Sequence, residues 1–270
     1  MKKLFIIPFA LLVLFACENE DELEETITQQ VVEAYLYNGS SDLDIKLSEI
    51  TPFEDLGSEE ETLISAAEVY VTIDGADFIL QEKSDMPGHY SFSDSGITIQ
   101  SEQEISFLFV QGQEEVTAET TVPQKPQNVQ LSESEKYIEQ ITSLMDLTQL
   151  ADATVEISWD NPDNSYYYVS VKNITDNPKT IDPNDYIPDV DGINTPPLPT
   201  SFSILWLNEL SDYGTYEIIV YKVNSEYVDL YNTQQQDSRT LNEPLTNIQN
   251  GYGIFTAFAS DTVYLEIVEP

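Results

Sequence analysis

Basic, sulfur-containing and imidazole side chains are scarce in this chain of 270 residues. Ten lysines and arginines stand against 49 aspartates and glutamates, which gives a formal net charge of −39. Because such a surface repels phosphate backbones, we expect no nucleic-acid binding. The single cysteine, Cys17, rules out an internal disulfide, and the single histidine, His89, cannot build a histidine-rich zinc site.

Motifs of common catalytic sites are also missing. The sequence contains no Gly-x-Ser-x-Gly, no His-Glu-x-x-His and no phosphate-binding loop. A hydrolase with paired carboxylates is the remaining enzymatic alternative, but with 49 acidic residues some carboxylates lie close together by chance. We therefore expect a protein that is not an enzyme.

Only one apolar run stands out, and it is short. Residues 4–16 form a 13-residue apolar segment behind two lysines, which fits a signal peptide and is too short to span a bilayer. The segment ends in Leu14-Phe15-Ala16-Cys17, which resembles the lipobox of bacterial lipoproteins, although Phe15 departs from the usual small residue. The resemblance implies a lipoprotein signal peptide over 1–16, cleavage before Cys17 and a lipid on the Cys17 thiol.

An acidic segment follows this cysteine directly. Residues 17–28 are polar and rich in carboxylates, and we interpret them as a disordered tether. Acidic residues at this place resemble the surface-export signal of Bacteroidota lipoproteins, and a solvated spacer is the alternative. We therefore expect a protein anchored in outer-membrane lipid and facing the extracellular side.

The next hundred residues have the pattern of β-strands. Residues 31–37 are rich in β-branched and aromatic side chains and end at Asn38-Gly39, a hairpin turn signal. Leu43, Ile45 and Leu47 alternate with polar residues, as in a half-buried strand. Similar segments and turn signals continue to residue 123. This spacing predicts an antiparallel β-sandwich over residues 29–123.

Residues 124–150 interrupt this rhythm and predict a linker. Apolar residues from 137 to 145 have helical spacing, and Ser132 with Glu135 could form a capping box. A short helix is our prediction for this linker, and an irregular strand insertion is the alternative. We predict a second short helix that begins near Asn224 or Ser225.

Residues 151–270 predict a second sandwich. Val155, Ile157 and Trp159 alternate on one strand, and Leu210 precedes Tyr216 by six residues. These patterns resemble a fibronectin type III domain, which implies a tryptophan in the core and a tyrosine that ties a corner to the next strand. We therefore expect Trp159 and Trp206 to be core residues, and platforms on which a ligand stacks are the alternative. The predicted fold is therefore all-β, with two tandem immunoglobulin/fibronectin-III-like β-sandwiches and one or two short helices.

A loop between these strands, residues 175–200, is rich in proline and aspartate. Carboxylate oxygens are ligands that Ca²⁺ prefers, and a fragment of a calcium-loop pattern occurs at 189–192. Calcium is the only cofactor that we consider, and a solvated acidic loop is the alternative. The candidate ligands are Asp182, Asp185, Asp189 and Asp191.

The C-terminal segment carries a family resemblance. It resembles the Bacteroidota lipoprotein family called domain of unknown function 4249 at Pro244, Asn247, Ile248, Asn250, Gly251, Gly253 and Phe255. The resemblance extends to "VVEAYLYNG", at the start of the predicted first sandwich, and to "ISAAEVYVTIDG". The resemblance implies an outer-membrane lipoprotein, often encoded beside a TonB-dependent transporter, and brings no catalytic residues. We expect a non-catalytic surface lipoprotein that binds a ligand or partner in nutrient uptake. A structural or adhesive envelope protein is the alternative.

Overall fold

A computed structural model describes residues 29–50, 62–93, 97–111, 114–188, 190–234 and 246–270. These residues form strands, two short α-helices and one 3₁₀ turn. In this part of the chain, no helix has both the length and the apolar character needed to cross a membrane. The fold is all-β, as the sequence predicts.

The first sandwich contains the strands up to residue 121. They are β1 (Gln29–Tyr37), β2 (Asp42–Ile50), β3 (Thr62–Leu63), β4 (Glu68–Ile73), β5 (Ala76–Lys83), β6 (Met86–Ser93), β7 (Glu104–Gln111) and β8 (Glu114–Thr121). One sheet has the order β1-β2-β6, and the other has the order β4-β7-β8. Residues 76–80 of β5 pair with β4 while residues 81–83 pair with β6, so β5 connects the two sheets.

The second sandwich contains the later strands and both helices. They are β9 (Gln127–Leu131), β10 (Glu135–Tyr137), α1 (Leu144–Gln149), β11 (Thr154–Asp160), β12 (Tyr166–Asn173), β13 (Ile193–Asn194), β14 (Phe202–Trp206), β15 (Gly214–Val223), α2 (Ser225–Gln234) and β17 (Tyr252–Val268). The short strand β16 (Ile248–Gln249), between α2 and β17 in the chain, pairs instead with β8 of the first sandwich. A three-stranded sheet, β14-β11-β9, faces the four strands β13-β12-β15-β17. Three strands opposite four is the arrangement of a fibronectin type III sandwich, which confirms the predicted fold class.

The core of the second sandwich contains the predicted tryptophan and tyrosine. Trp159 is buried, and its ring centroid lies 5.3 Å from that of Tyr167. Tyr216 is buried next to Leu210, and its hydroxyl donates a hydrogen bond of 2.8 Å to the carbonyl oxygen of Asp212. This bond ties the corner to β15, as the fibronectin resemblance implies. The prediction for Trp206 is wrong: it is 43% exposed, because the alternation on β14 turns Leu205 inward instead.

The segment between the sandwiches contains both a strand and a helix. Residues 135–137 form β10, which pairs in parallel with the end of β17, so the predicted capping box of Ser132 and Glu135 is wrong. The helix begins later, where Ser143 and Asp146 form the capping box of α1. Ile138 and Ile141 explain the difference, because both are buried in the second core and hold this segment extended against the sandwich.

Strand β17 belongs to both sandwiches. Residues 252–258 pair in parallel with residues 31–37 of β1, and residues 258–267 pair antiparallel with residues 214–223 of β15. Phe255 and Ala257 therefore pack into the first core, and Leu265 packs into the second. One continuous sheet runs through the junction of the two sandwiches, in the order β12-β15-β17-β1-β2.

Asn247 and Gly253 belong to the C-terminal residues that carry the family resemblance, which we call the C-terminal signature. Both hold β17 in this position. The Asn247 side-chain amide donates a hydrogen bond of 2.6 Å to the carbonyl oxygen of Phe255, and its carbonyl accepts one of 3.1 Å from the Phe255 amide. The same amide reaches the carbonyl oxygen of Glu119 on β8 at 3.2 Å. Gly253 has φ of +100°, and a Cβ there would overlap the carbonyl oxygen of Val32. These residues thus have structural roles at the junction.

Candidate functional site: a tyrosine surface at the junction

Aromatic side chains gather on the outer face of the continuous sheet, where the two sandwiches meet. On β1, Val32, Ala34 and Leu36 point into the first core, so Tyr35 and Tyr37 point outward. Tyrosines of β12, β15 and α2 lie against the same part of β17. We call this group the tyrosine surface, and its members are Tyr35, Tyr37, Tyr168, Tyr221, Tyr227 and Phe258.

Phe258 is the centre of the tyrosine surface. It is buried, and the rings of Tyr35 and Tyr37 lie against it with centroid distances of 6.0 and 5.5 Å. Tyr227 of α2 meets it edge to face at 5.0 Å. Tyr168 and Tyr221 stack in parallel at 4.6 Å beside this group. Such ring pairs stabilise each other by about 0.5–1.5 kcal/mol beyond the area they bury, so the rings are held in place.

The tyrosine hydroxyls remain protonated and available. Burial raises the pKa of all five tyrosines, and the carboxylates of Glu33 and Glu217 add to this effect at Tyr35 and Tyr221. A neutral phenol can both donate and accept a hydrogen bond. Within the described residues, none of these five hydroxyls is hydrogen-bonded to another protein group or buried without a partner. Tyr35 and Tyr37 are 39% and 45% exposed, so a ligand could reach their rings and hydroxyls.

The first turn of α2 is tied to the first sandwich next to this surface. The Glu226 carboxylate accepts hydrogen bonds from the hydroxyls of Thr120 at 2.7 Å and Thr256 at 3.2 Å. The Asn224 amide donates to the Thr120 hydroxyl at 3.0 Å and to the carbonyl oxygen of Thr121 at 2.8 Å. These bonds connect α2 to β8 and β17, and they fix the helix that carries Tyr227.

A polar cleft of about 590 Å³ borders this turn. We call it the junction cleft. Carboxylates and hydroxyls line it, among them those of Asp74, Glu104, Glu119, Thr121 and Glu226. Among the described residues that line it, none is a lysine, an arginine or an aromatic residue. The cleft offers hydrogen-bond acceptors, whereas the tyrosine surface offers both apolar area and hydroxyls, which makes the tyrosine surface the stronger candidate for binding.

The predicted site residues that the structure describes lie in the loop between β12 and β13, away from the tyrosine surface. Cys17 and Asp189 are outside the described residues. Asp182 is buried, and its carboxylate accepts hydrogen bonds from the backbone amides of Asn184 and Ile187 at 3.3 and 2.6 Å, so it organises its own loop. Asp185 is exposed, and Asp191 pairs with Lys172 at 3.3 Å.

Calcium binding by this loop stays a prediction. The described ranges contain no group of three or more His, Cys, Asp or Glu side chains that could hold a metal ion.

Sequence reasoning did not find the tyrosine surface. Part of the signal is visible in the sequence, because Tyr35 and Tyr37 alternate with the inward Leu36, and Tyr168 follows the inward Tyr167. Alternation tells which side chains share a face of one strand. It does not tell that β1 and β15 flank the same strand β17, and this neighbourhood is what brings the tyrosines together.

Comparisons with known proteins give one family and one structural similarity. The family described as "Domain of unknown function (DUF4249)" matches residues 18–263. No curated protein matches the chain. Among solved structures, the crystal structure of chicken CNTN1 FN1-FN3 domains is similar with 10% sequence identity and a TM-score of 0.27, over 88% of this chain and 67% of that one.

Proposed function

We propose that this chain, which belongs to the family described as domain of unknown function 4249, is a non-catalytic lipoprotein of the outer membrane. In this proposal, a lipid on Cys17 anchors the protein with its body on the extracellular side. The tyrosine surface binds a ligand or a partner, and the protein assists a TonB-dependent transporter in nutrient uptake.

The exposed tyrosine surface is the observation that carries the proposal. Tyrosine is enriched at binding interfaces, because its ring contributes a large apolar area at a low entropic cost and its hydroxyl adds a polar contact. Tyr35 and Tyr37 combine exposure with rings that are held against Phe258. Rigid aromatic side chains of this kind are typical centres of protein interfaces.

The proposed anchor follows from the first residues of the sequence. A lipid chain contributes about 0.8 kcal/mol for each buried methylene, and stable anchoring needs more than one chain. Cys17→Ser removes the thiol that would carry the lipid, so the unprocessed protein should retain its signal segment. Fractionation of cells that express the two forms tests this step. A Cys17→Ser protein that remains in the membrane at the mature size would contradict the anchor.

Partner recovery tests the binding role. Wild-type lipoprotein extracted from membranes in mild detergent should retain a TonB-dependent transporter, and Tyr35→Ala/Tyr37→Ala should lose it. Tyr137→Ala is a matched control, because Tyr137 is 63% exposed and lies on β10, outside the tyrosine surface. Mass spectrometry of the recovered proteins measures the outcome. Repeated absence of a transporter from the wild-type sample would argue against the proposal.

A structural or adhesive role in the envelope is the second candidate, and the shared strand β17 favours it. Because 17 consecutive residues run through both sandwiches, the junction resists bending as a spacer would require. A spacer does not need the tyrosine surface. Tyr35→Ala/Tyr37→Ala should then leave every recovered partner unchanged, which separates this role from the first.

A further inference from the structure

We propose that the tyrosine surface receives arginine and lysine side chains of a partner protein. This inference rests on the proposed function, because it assigns a chemistry to the partner that binds at the same surface. Charge, ring geometry and the free hydroxyls support it independently.

The charge of the molecule favours a cationic partner. The chain has a net charge of −39, and this field attracts positive and repels negative partners. One carboxylate borders the tyrosine surface, that of Glu33, which lies two residues from Tyr35 on the same face of β1. The Nζ atom of Lys46 lies 3.6 Å from Oε2 of Glu33, so Lys46 offsets part of the charge of this carboxylate. Glu217 lies farther along β15, opposite Lys172 in the pairing with β12, and adds to the acidic surroundings only at longer range.

The rings offer faces on which cations bind. A lysine or arginine within about 6 Å of an aromatic centroid is attracted by the electron-rich face of the ring. The described residues of the second sandwich already provide two such contacts: Lys222 Nζ lies 5.8 Å from the Tyr167 centroid, and Lys179 Nζ lies 5.7 Å from that of Tyr213. Tyr35 and Tyr37 present exposed rings for which the described residues provide no such cation.

The hydroxyls add a hydrogen-bonding match. Five phenols that are neutral and unpaired within the described residues can accept hydrogen bonds, and an arginine side chain has five N–H donors in a planar fork. A guanidinium can stack on one ring and donate to the hydroxyl of the next. An ammonium group is a compact charge without this planar fit, so we expect arginine to bind more tightly than lysine.

Peptide binding to the full-length lipoprotein in detergent tests the inference. The probes are tetra-arginine, tetra-lysine and tetra-glutamate, measured by calorimetry in 0.1 M and 1 M NaCl. At 1 M salt the screening length falls to about 3 Å, so attraction by the overall charge is removed and contacts at the rings remain. We expect tetra-arginine to bind more tightly than tetra-lysine at both salt concentrations and tetra-glutamate not to bind.

The variants separate the rings from the charge. At 1 M salt, Tyr35→Ala/Tyr37→Ala should weaken tetra-arginine binding about tenfold, as expected for two exposed cation–π contacts. Tyr35→Phe/Tyr37→Phe keeps the rings and should retain most of the affinity, and Tyr137→Ala should change nothing. Equal melting temperatures by circular dichroism show that the variants are folded. Equal tetra-arginine affinities of wild type and Tyr35→Ala/Tyr37→Ala at 1 M salt would overturn the inference.

A neutral sugar is the competing occupant of an aromatic surface, and maltoheptaose serves as its probe. Binding of maltoheptaose that needs Tyr35 and Tyr37, without tyrosine-dependent binding of tetra-arginine, would overturn the inference. The transporter recovery described above keeps the two proposals apart. Tyrosine-dependent peptide binding without a recovered transporter supports the cationic partner and contradicts the role in uptake. Tyrosine-dependent recovery of a transporter without peptide binding supports the role in uptake and contradicts the cationic partner.

Discussion

Gly253→Ala should be among the most destabilising single changes in the first sandwich. Gly253 lies in the half of β17 that pairs in parallel with β1, and its φ of +100° is a conformation that side chains rarely adopt. A methyl group there would overlap the backbone of Val32 on the neighbouring strand. Because the obstacle is backbone and not a flexible side chain, one of the two strands must move.

The magnitude follows from two contributions. The positive φ alone costs a residue with a side chain about 1–2 kcal/mol. Separation of β1 from β17 near Gly253 breaks two or three backbone hydrogen bonds, each worth about 1 kcal/mol, and loosens the buried Val32 and Phe255. We therefore expect a loss of about 4 kcal/mol or more in the free energy of unfolding.

Gly75→Ala is the matched control for this prediction. Gly75 has a similar φ of +82°, in the turn between β4 and β5, but a Cβ there meets no atom within 4 Å. Gly75→Ala should thus lose only the conformational part, about 1–2 kcal/mol. Urea unfolding of both proteins, followed by far-ultraviolet circular dichroism, measures the difference. A Gly253→Ala protein that loses no more stability than Gly75→Ala would refute the reasoning about the contact with Val32.

Three further predictions concern stability. Asn247→Ala removes the two hydrogen bonds to Phe255, and we expect the free energy of unfolding in urea to fall by about 2–3 kcal/mol. An unchanged unfolding midpoint would contradict the role of Asn247 in holding β17. Tyr216→Phe removes the hydrogen bond to Asp212 and should cost about 1–2 kcal/mol in the same assay, whereas a neutral result would show that the corner needs only the ring. Burial raises the pKa of Tyr167 to about 12, above its value in the unfolded chain, so its stabilising effect is complete below pH 10 and is lost as pH rises towards 12. Unfolding measured between pH 8 and 12 should show this loss, reduced in Tyr167→Phe.

The local pattern of the sequence was sufficient for the strands and for much of the core. Alternation of apolar residues predicts the inward face of β2, and the structure buries Leu43, Ile45 and Leu47 as expected. The fibronectin pattern placed Trp159 in the core and Tyr216 at its corner. These features depend on neighbours within one strand or one turn, where periodicity carries the information.

Features that depend on partners distant in the chain could not be predicted in this way. The capping box at Ser143 and Asp146 has the same kind of signal as the one proposed at Ser132 and Glu135, and the burial of Ile138 and Ile141 decides between them. Local patterns identify Trp206 as an aromatic residue on a strand but do not show that Leu205 takes the inward position. Tertiary packing decides both cases.

The tyrosine surface and the C-terminal signature are consequences of the same shared strand. Gly253 lets β17 approach β1 closely, and Asn247 holds Phe255 between β1 and β8, so residue 258 reaches the point where β15 also pairs. Phe258 then contacts tyrosines from both sandwiches. A change at Gly253 should therefore disturb the tyrosine surface as well as the fold. The signature residues thus determine where the aromatic side chains of the two sandwiches meet.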